Sequence, residues 1–260
     1  MTVEGFTITN KVYVPERIRP GNAFEERYVS LRQKEERVYT DEMLLRLPDV
    51  DKNHVHSGEW QIRRRSAERL INYISKKARP HRILEAGCGN GWLCRQLANI
   101  EGSKVIGTDV NFTELKQAAD VFGNIPNLMF IYGEIESGIL RNMEFDFIIF
   151  ASCIQYFQSA PASITKALRL LGAGGEVHIL DSPFYKSQEI PAARERTAAY
   201  YTAMGYPEMS RHYYHHSLDE LAFLQPDILY KPSGINRFLP GKSNPFPWIR
   251  IKQSALPSCR

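Results

Sequence analysis

Apolar residues along this chain keep two rhythms, and the change falls at His81. Upstream, in SGEWQIRRRSAERLINYISKKARP, Ile62, Leu70, Ile71 and Ile74 share one helix face and Pro80 marks the stop. Residues 1–58 are polar, dotted with aromatics and irregular; they predict helices over 23–37 and 40–46. Residues 1–80 therefore read as an N-terminal helical cap, with Trp60 packing where the cap meets the next unit.

Downstream, short apolar runs alternate with helical patterns. Strands are expected at RILEAG (82–87), KVIGTDV (104–110), LMFIYGEI (128–135), FDFIIFAS (145–152) and EVHILDS (176–182). GWLCRQLANI, FTELKQAADVF and APASITKALRLL supply helices between them. FDFIIFAS is almost continuously apolar, the mark of a strand buried on both faces. Such alternation predicts an α/β fold, a parallel sheet with helices on both faces. After Ser182 the rhythm breaks. Residues 183–216 form an insertion rich in tyrosine and histidine, with one helix over 189–204. Ser217 and Glu220 have the spacing of a capping box at the start of a short helix. DILYKP and WIRIKQ predict a sixth and a seventh strand, separated by the proline- and glycine-rich SGINRFLPGKSNPFP.

With 260 residues, 43% hydrophobic and 24% charged, the chain can bury a substantial core. No apolar run approaches the roughly 20 residues of a membrane span, and the N-terminus has no apolar signal region, so the expected location is cytoplasmic. The net charge of +4 is spread along the chain. Its one dense cluster, Arg63 to Arg65, lies on a predicted helix and reads as a solvated face rather than a nucleic-acid patch. Cys88, Cys94, Cys153 and Cys259 lack metal-ligand spacing and read as free thiols; no metal site is expected.

Chemistry concentrates in Glu85-Ala-Gly-Cys-Gly-Asn-Gly91. Alternating glycines between a strand and a helix admit a ligand close to the backbone and offer it N–H groups at the helix start. Gly87, Gly89 and Gly91 do not have the G-x-G-x-x-G spacing of the dinucleotide fingerprint. Glu85, two residues before the first glycine, suits a ligand with an ammonium group and not a pyrophosphate. Asp109 ends the second strand, 22 residues past Gly87, where a carboxylate can accept two ribose hydroxyls. Glu134 adds a polar group after the third strand.

In these segments the chain resembles the class I S-adenosylmethionine-dependent methyltransferases. Glu85 to Gly91 is similar to their E/D-x-G-x-G-x-G motif, VIGTDVNFTEL to their second-strand motif, IYGEIE to the segment after strand three, FDFIIFASCIQYF to the fourth-strand motif and LRLLGAGGEVHILDSP to the segment entering strand five. Glu134 and Ala173 depart mildly from the usual Asp and Pro. The resemblance covers about residues 82–182. It implies a Rossmann-like, seven-stranded, mostly parallel sheet with an antiparallel last strand, an N-terminal cap and an insertion after strand five. It also implies S-adenosylmethionine as cofactor. On that basis Glu85, Gly87, Cys88, Gly89, Gly91, Asp109, Val110, Glu134, Ile135 and Ser152 are expected around it, with Asp109 on the ribose and Glu134 and Ile135 at the adenine. Residues 81–260 would be the methyltransferase domain, with 183–216 a lid over the substrate.

The acceptor side is less defined. Gln155, Tyr156, Tyr200 and Tyr214 are candidate substrate contacts, and His215, His216 and Tyr185 candidate catalytic groups, on location alone. No Asn/Asp-Pro-Pro-Tyr/Phe motif follows the fourth strand, which argues against planar exocyclic amines as acceptors. An enclosed small molecule is expected, with the protein a monomer or homodimer. RNA or protein methylation is the alternative, resting on the arginine cluster; a non-catalytic cofactor-binding protein is another. A nicotinamide dehydrogenase is disfavoured by the glycine spacing and Glu85.

Overall fold

Phe147 and Ile149 point to one side of the central strand and Ile148 and Phe150 to the other, all of them buried. This strand, β6 (Phe145–Ala151), lies between β3 (Arg82–Ala86) and β7 (Leu171–Leu180), and all three run parallel. The structure is a computed structural model describing residues 5–21, 23–77, 80–232 and 244–253. On the far side of β3 lie β4 (Lys104–Asp109) and β5 (Leu128–Tyr132), also parallel. Beyond β7, β11 (Trp248–Lys252) runs antiparallel and is followed by β10 (Asp227–Tyr230). These are the seven expected strands, with the expected antiparallel last one.

The sheet has nine strands among the described residues, because two more come from the N-terminus. β1 (Phe6–Thr9) and β2 (Val12–Pro15) form a hairpin whose turn puts Asn10 and Lys11 at φ 49° and 62°, the left-handed geometry that two-residue hairpins need. β2 adds in parallel to β5 through Tyr13 and Ile131 and buries Val12 and Val14. Residues 6–15 are therefore part of the sheet rather than of a helical cap. The physical reason is the open edge of β5, which the hairpin covers.

Helices then cover both faces. Beneath Phe147 and Ile149 lie α3 (Ser57–Ser75), α4 (Trp92–Ala98) and α5 (Phe112–Phe122); against Ile148 and Phe150 lies α6 (Ala160–Arg169). The remaining helices sit above the carboxyl ends of the strands. α1 (Ala23–Lys34) is shorter than expected, with the chain turning where Glu36 takes φ 55°; α2 (Asp41–Arg46) follows, capped by Thr40. α7 (Ile190–Ala203) is the helix of the insertion. The insertion is tied down by a short parallel ladder of β8 (Phe184–Tyr185) with β9 (His216–Ser217), after which the Ser217–Glu220 capping box opens a short 3-10 turn.

α1 and the insertion meet in a cluster of their own. Leu31, Tyr201 and Met209 are buried together, Tyr200 Oη donates to Glu35 Oε1 at 2.5 Å, and Lys34 Nζ donates to the Met204 carbonyl at 2.8 Å. The cover above the sheet is thus one joined piece. Leu31→Ala is expected to cost about 2–5 kcal/mol, the usual range for a buried leucine, when unfolding is followed by urea titration. A loss below about 0.5 kcal/mol would mean that the cover opens independently of the core.

Candidate functional site

The glycine loop leaves β3 at its carboxyl end, beside the point where the strand order reverses, and this is where open α/β sheets hold ligands. Gly91 has φ 73°, and a Cβ there would stand 2.7 Å from Phe130 Cε1, so close packing onto β5 demands glycine. Gly89 has φ 52° with open space save for the Glu114 carboxylate at 3.6 Å, so this glycine faces the site. Four of the loop's N–H groups are turned to partners within the protein. Gly87 N and Cys88 N both donate to the Thr108 carbonyl, at 2.8 and 3.0 Å, Gly91 N to the Cys88 carbonyl, and Gly89 N to Asp109 Oδ2 at 2.7 Å. A pyrophosphate cradle needs those donors; here they stiffen the loop and fix an acid instead.

That acid and two others define one wall of a cavity of about 840 Å³. Asp109, at the end of β4, also accepts from Asn111 N at 2.8 Å, and burial raises its carboxyl above the ordinary range. Glu85, at the end of β3, is 2% exposed, accepts from Cys94 Sγ at 2.9 Å, and is pushed up to about 8 by burial. Glu114, in the first turn of α5, is pushed up to about 7 by burial and the neighbouring Asp109 charge. None of the three forms an ion pair among the described residues. Asn111, which caps α5 by accepting from Glu114 N, leaves Nδ2 buried without a partner in the same wall. Carboxylates pinned but unneutralised, beside an orphaned donor, suit a ligand that is cationic at one end and hydroxylated at the other.

The opposite wall comes from the cover. Tyr28 and Arg32 of α1, Arg37, Tyr39, and Trp60 and Arg63 of α3 face the cavity. Trp60 is buried edge-on against Trp92 at 5.3 Å and donates through Nε1 to Tyr39 Oη at 2.8 Å, which docks the cover onto α4. The arginine cluster is dispersed by helical geometry: Arg63 lines the cavity and pairs with Glu59 at 2.7 Å, while Arg64 pairs with Asp49. It makes no single basic face, and the alternative that rested on it loses that footing.

Most of the expected cofactor residues converge. Glu85, Gly87, Cys88, Gly89, Asp109, Val110, Glu134, Ile135 and Ser152 line the cavity, as do Tyr156 and Tyr214; Gly91 packs behind the loop. Cys88 is buried and its thiol pushed up to about 12, so it acts as packing. Cys259 lies outside the described residues.

The acceptor-side expectations fare differently. His216 is buried, with Nε2 held by the Ile154 and Phe157 carbonyls at 3.2 and 3.0 Å. His215 is buried against Tyr185 and Tyr213, with Nε2 2.9 Å from Thr197 Oγ1. Neither histidine, nor Tyr185, reaches the cavity. The Nε2 of each histidine answers a hydroxyl or backbone carbonyls within the fold, while His215 Nδ1 is buried without a hydrogen-bond partner. Tyr200 points outward to Glu35, and Gln155 is buried with Nε2 on the Ser152 carbonyl at 2.7 Å, its own carbonyl taking Tyr214 N. Their places are structural. Glu114, Asn111, Tyr28, Arg32 and Arg63 escaped sequence reading. Only Asn111 and Glu114 had a local signal, their cap spacing.

The family model of the methyltransferase domain matches residues 83–175, from the glycine-loop strand to the start of β7. Malonyl-acyl-carrier-protein O-methyltransferase of Halalkalibacterium halodurans is 26% identical to it over 131 residues, 47% of this chain and 48% of that protein. The corresponding enzyme 1 of Ilyobacter polytropus is 25% identical over 118 residues, 45% of this chain and 44% of that one. The chain thus matches about half the length of these relatives. Among solved structures, magnesium protoporphyrin IX methyltransferase of Synechocystis PCC 6803 with bound S-adenosylhomocysteine superposes with TM-score 0.55 at 12% identity, covering 87% of this chain and 93% of that one. A plantazolicin methyltransferase in complex with S-adenosylhomocysteine gives 0.54 at 15%, covering 88% and 96%. At such identities these likenesses establish the fold alone.

The acid wall has a cost to folding whose sign can be tested. Glu85 ionises near 4.5 when unfolded but near 8 when folded, so the native state binds more protons and loses stability as pH rises between those values. Glu85→Gln is therefore expected to melt higher than the ligand-free wild type at pH 8, with the gain shrinking towards pH 4.5. A lower melting point for the variant at pH 8 would show that Glu85 is not a buried uncompensated acid.

Proposed function

We propose that this protein is an S-adenosylmethionine-dependent methyltransferase that transfers a methyl group by in-line displacement to a small molecule enclosed between the sheet and its cover. The observation that carries the reading is the Asp109 carboxylate, held by the Gly89 and Asn111 N–H groups and facing the cavity beside Glu85 and Glu114. Those residues fit the cofactor. Asp109 with Asn111 would take the ribose hydroxyls, Glu85 and Glu114 the positive charge of the amino-acid end, and Val110, Glu134 and Ile135 the base. When bound, the cofactor supplies a methyl group already activated by the sulfonium.

The chain's own part is to orient and to exclude water. Ser152 has φ 56° and donates its N–H to the Leu180 carbonyl at 2.9 Å, which turns the chain out of β6 so that Tyr156 borders the cavity. α1 and the insertion cover the opening, and Phe24 packs against His212 at 4.5 Å, the rings tilted by 55°, where the two meet. The dispersed arginines and the covered cavity support a small acceptor over an RNA or protein surface. The relatives are named for malonyl-acyl-carrier protein, magnesium protoporphyrin IX and plantazolicin, and none of these is carried over to this chain.

Calorimetry tests the reading. S-adenosylmethionine and S-adenosylhomocysteine are expected to bind, and Asp109→Ala to weaken both at least a hundredfold, from the loss of charged hydrogen bonds to two hydroxyls. NADH binding in their place, or full affinity in Asp109→Ala, would refute it.

A further inference from the structure

The two walls of the cavity carry acids on one side and guanidiniums on the other. On the sheet side stand Glu85, Asp109 and Glu114. On the cover side, Arg32, Arg37 and Arg63 face the same space. Two carboxylates answer them: Glu59 takes Arg37 and Arg63, each at 2.7 Å, and Glu35 takes Arg32 at 2.8 Å and Arg37 at 3.5 Å. Three guanidiniums against two carboxylates leave one positive charge in excess. Glu25 also lines the cavity, but its Oε1 is turned to Thr113 N and Oγ1 at the start of α5.

Of the three, Arg32 is the one that meets two tyrosines at the cavity. Its Nη2 donates to Tyr156 Oη at 2.6 Å, and its guanidinium carbon lies 4.8 Å from the Tyr28 ring centre and 5.9 Å from that of Tyr156. Because Tyr156 Oη accepts from arginine, its own proton is left to donate. A planar N–H edge beside a phenol O–H matches a carboxylate. One excess charge also matches one negative charge; a phosphate dianion would leave charge uncompensated in a covered space.

Resting on the methyl-transfer reading of the same cavity, we propose that Arg32 and Tyr156 form an anion subsite that reads a carboxylate on the acceptor, so that the substrates are organic acids. Such an acceptor is ionised at neutral pH and needs no base to become so. That agrees with a cavity whose neighbouring histidines, His215 and His216, are turned to structural partners.

The test is calorimetry on the full chain saturated with S-adenosylhomocysteine, titrated with octanoate and 3-phenylpropionate, with their primary amides, and with 3-phenylpropyl phosphate. The acids are expected to bind at least tenfold more tightly than the amides and more tightly than the phosphate, as a charge-assisted pair requires. Arg32→Gln should erase the preference for acid over amide, Arg32→Lys keep part of it, and Tyr156→Phe reduce it severalfold. S-adenosylhomocysteine affinity should stay within about threefold in all three, which also reports that they fold. Acids binding no better than amides, phosphate binding best, or an acid preference surviving in Arg32→Gln would overturn the subsite. So would loss of S-adenosylhomocysteine affinity in both Arg32→Gln and Tyr156→Phe, since the pair would then be a structural support. Failure of S-adenosylhomocysteine to bind the wild type would remove the methyl-transfer reading itself, and this proposal with it.

Discussion

Carboxylates are seldom buried without a cation, and here three gather at the carboxyl ends of neighbouring elements. Desolvation makes that arrangement unfavourable for the folded chain at neutral pH, and backbone N–H groups relieve only part of it. The rest of the site follows from this constraint. The glycine loop spends its donors on Thr108 and Asp109 rather than on a ligand phosphate. Near neutrality Glu85 stays largely protonated and Glu114 about half so until something positive arrives. A site of this kind stores a preference for cationic ligands in its own strain of solvation.

The cover makes that preference stronger. Field lines in a cavity closed by protein are screened less than at a surface, so a wall of acids facing one of guanidiniums can align a cationic donor with an anionic acceptor. α1 contributes both an arginine to the basic wall and Leu31 to the joint with the insertion. Binding and cover closure therefore share one helix. Tyr201, Tyr206 and Tyr213 of the insertion pack in that joint.

How much was legible in the sequence divides along physical range. The strand-loop-helix with Gly87, Gly89 and Gly91, and Asp109 at the next strand end, are local features whose geometry follows from spacing, and they converge as expected. The hairpin of β1 and β2 was not legible. Its strands are four residues each, one face of β1 is solvated, and its reason for existing is an edge of β5 more than a hundred residues away. Arg32 and Tyr28 look like residues of a solvated helix face, because sequence alone does not say which cavity a polar face will enter. Conversely, the density of titratable groups at His215 and His216 suggested chemistry. Packing decided otherwise, since a buried imidazole with two carbonyls to answer is already employed.

The central claim is that Glu85 and Glu114 hold protons which a cationic ligand expels. It is tested most directly by titrating S-adenosylmethionine at pH 6.5, where the ligand's own amino group is already charged, in buffers of different ionisation enthalpy. The account predicts release of more than one proton per molecule bound, reduced by about one in Glu85→Gln. Binding with no proton released, or with protons taken up, would contradict it.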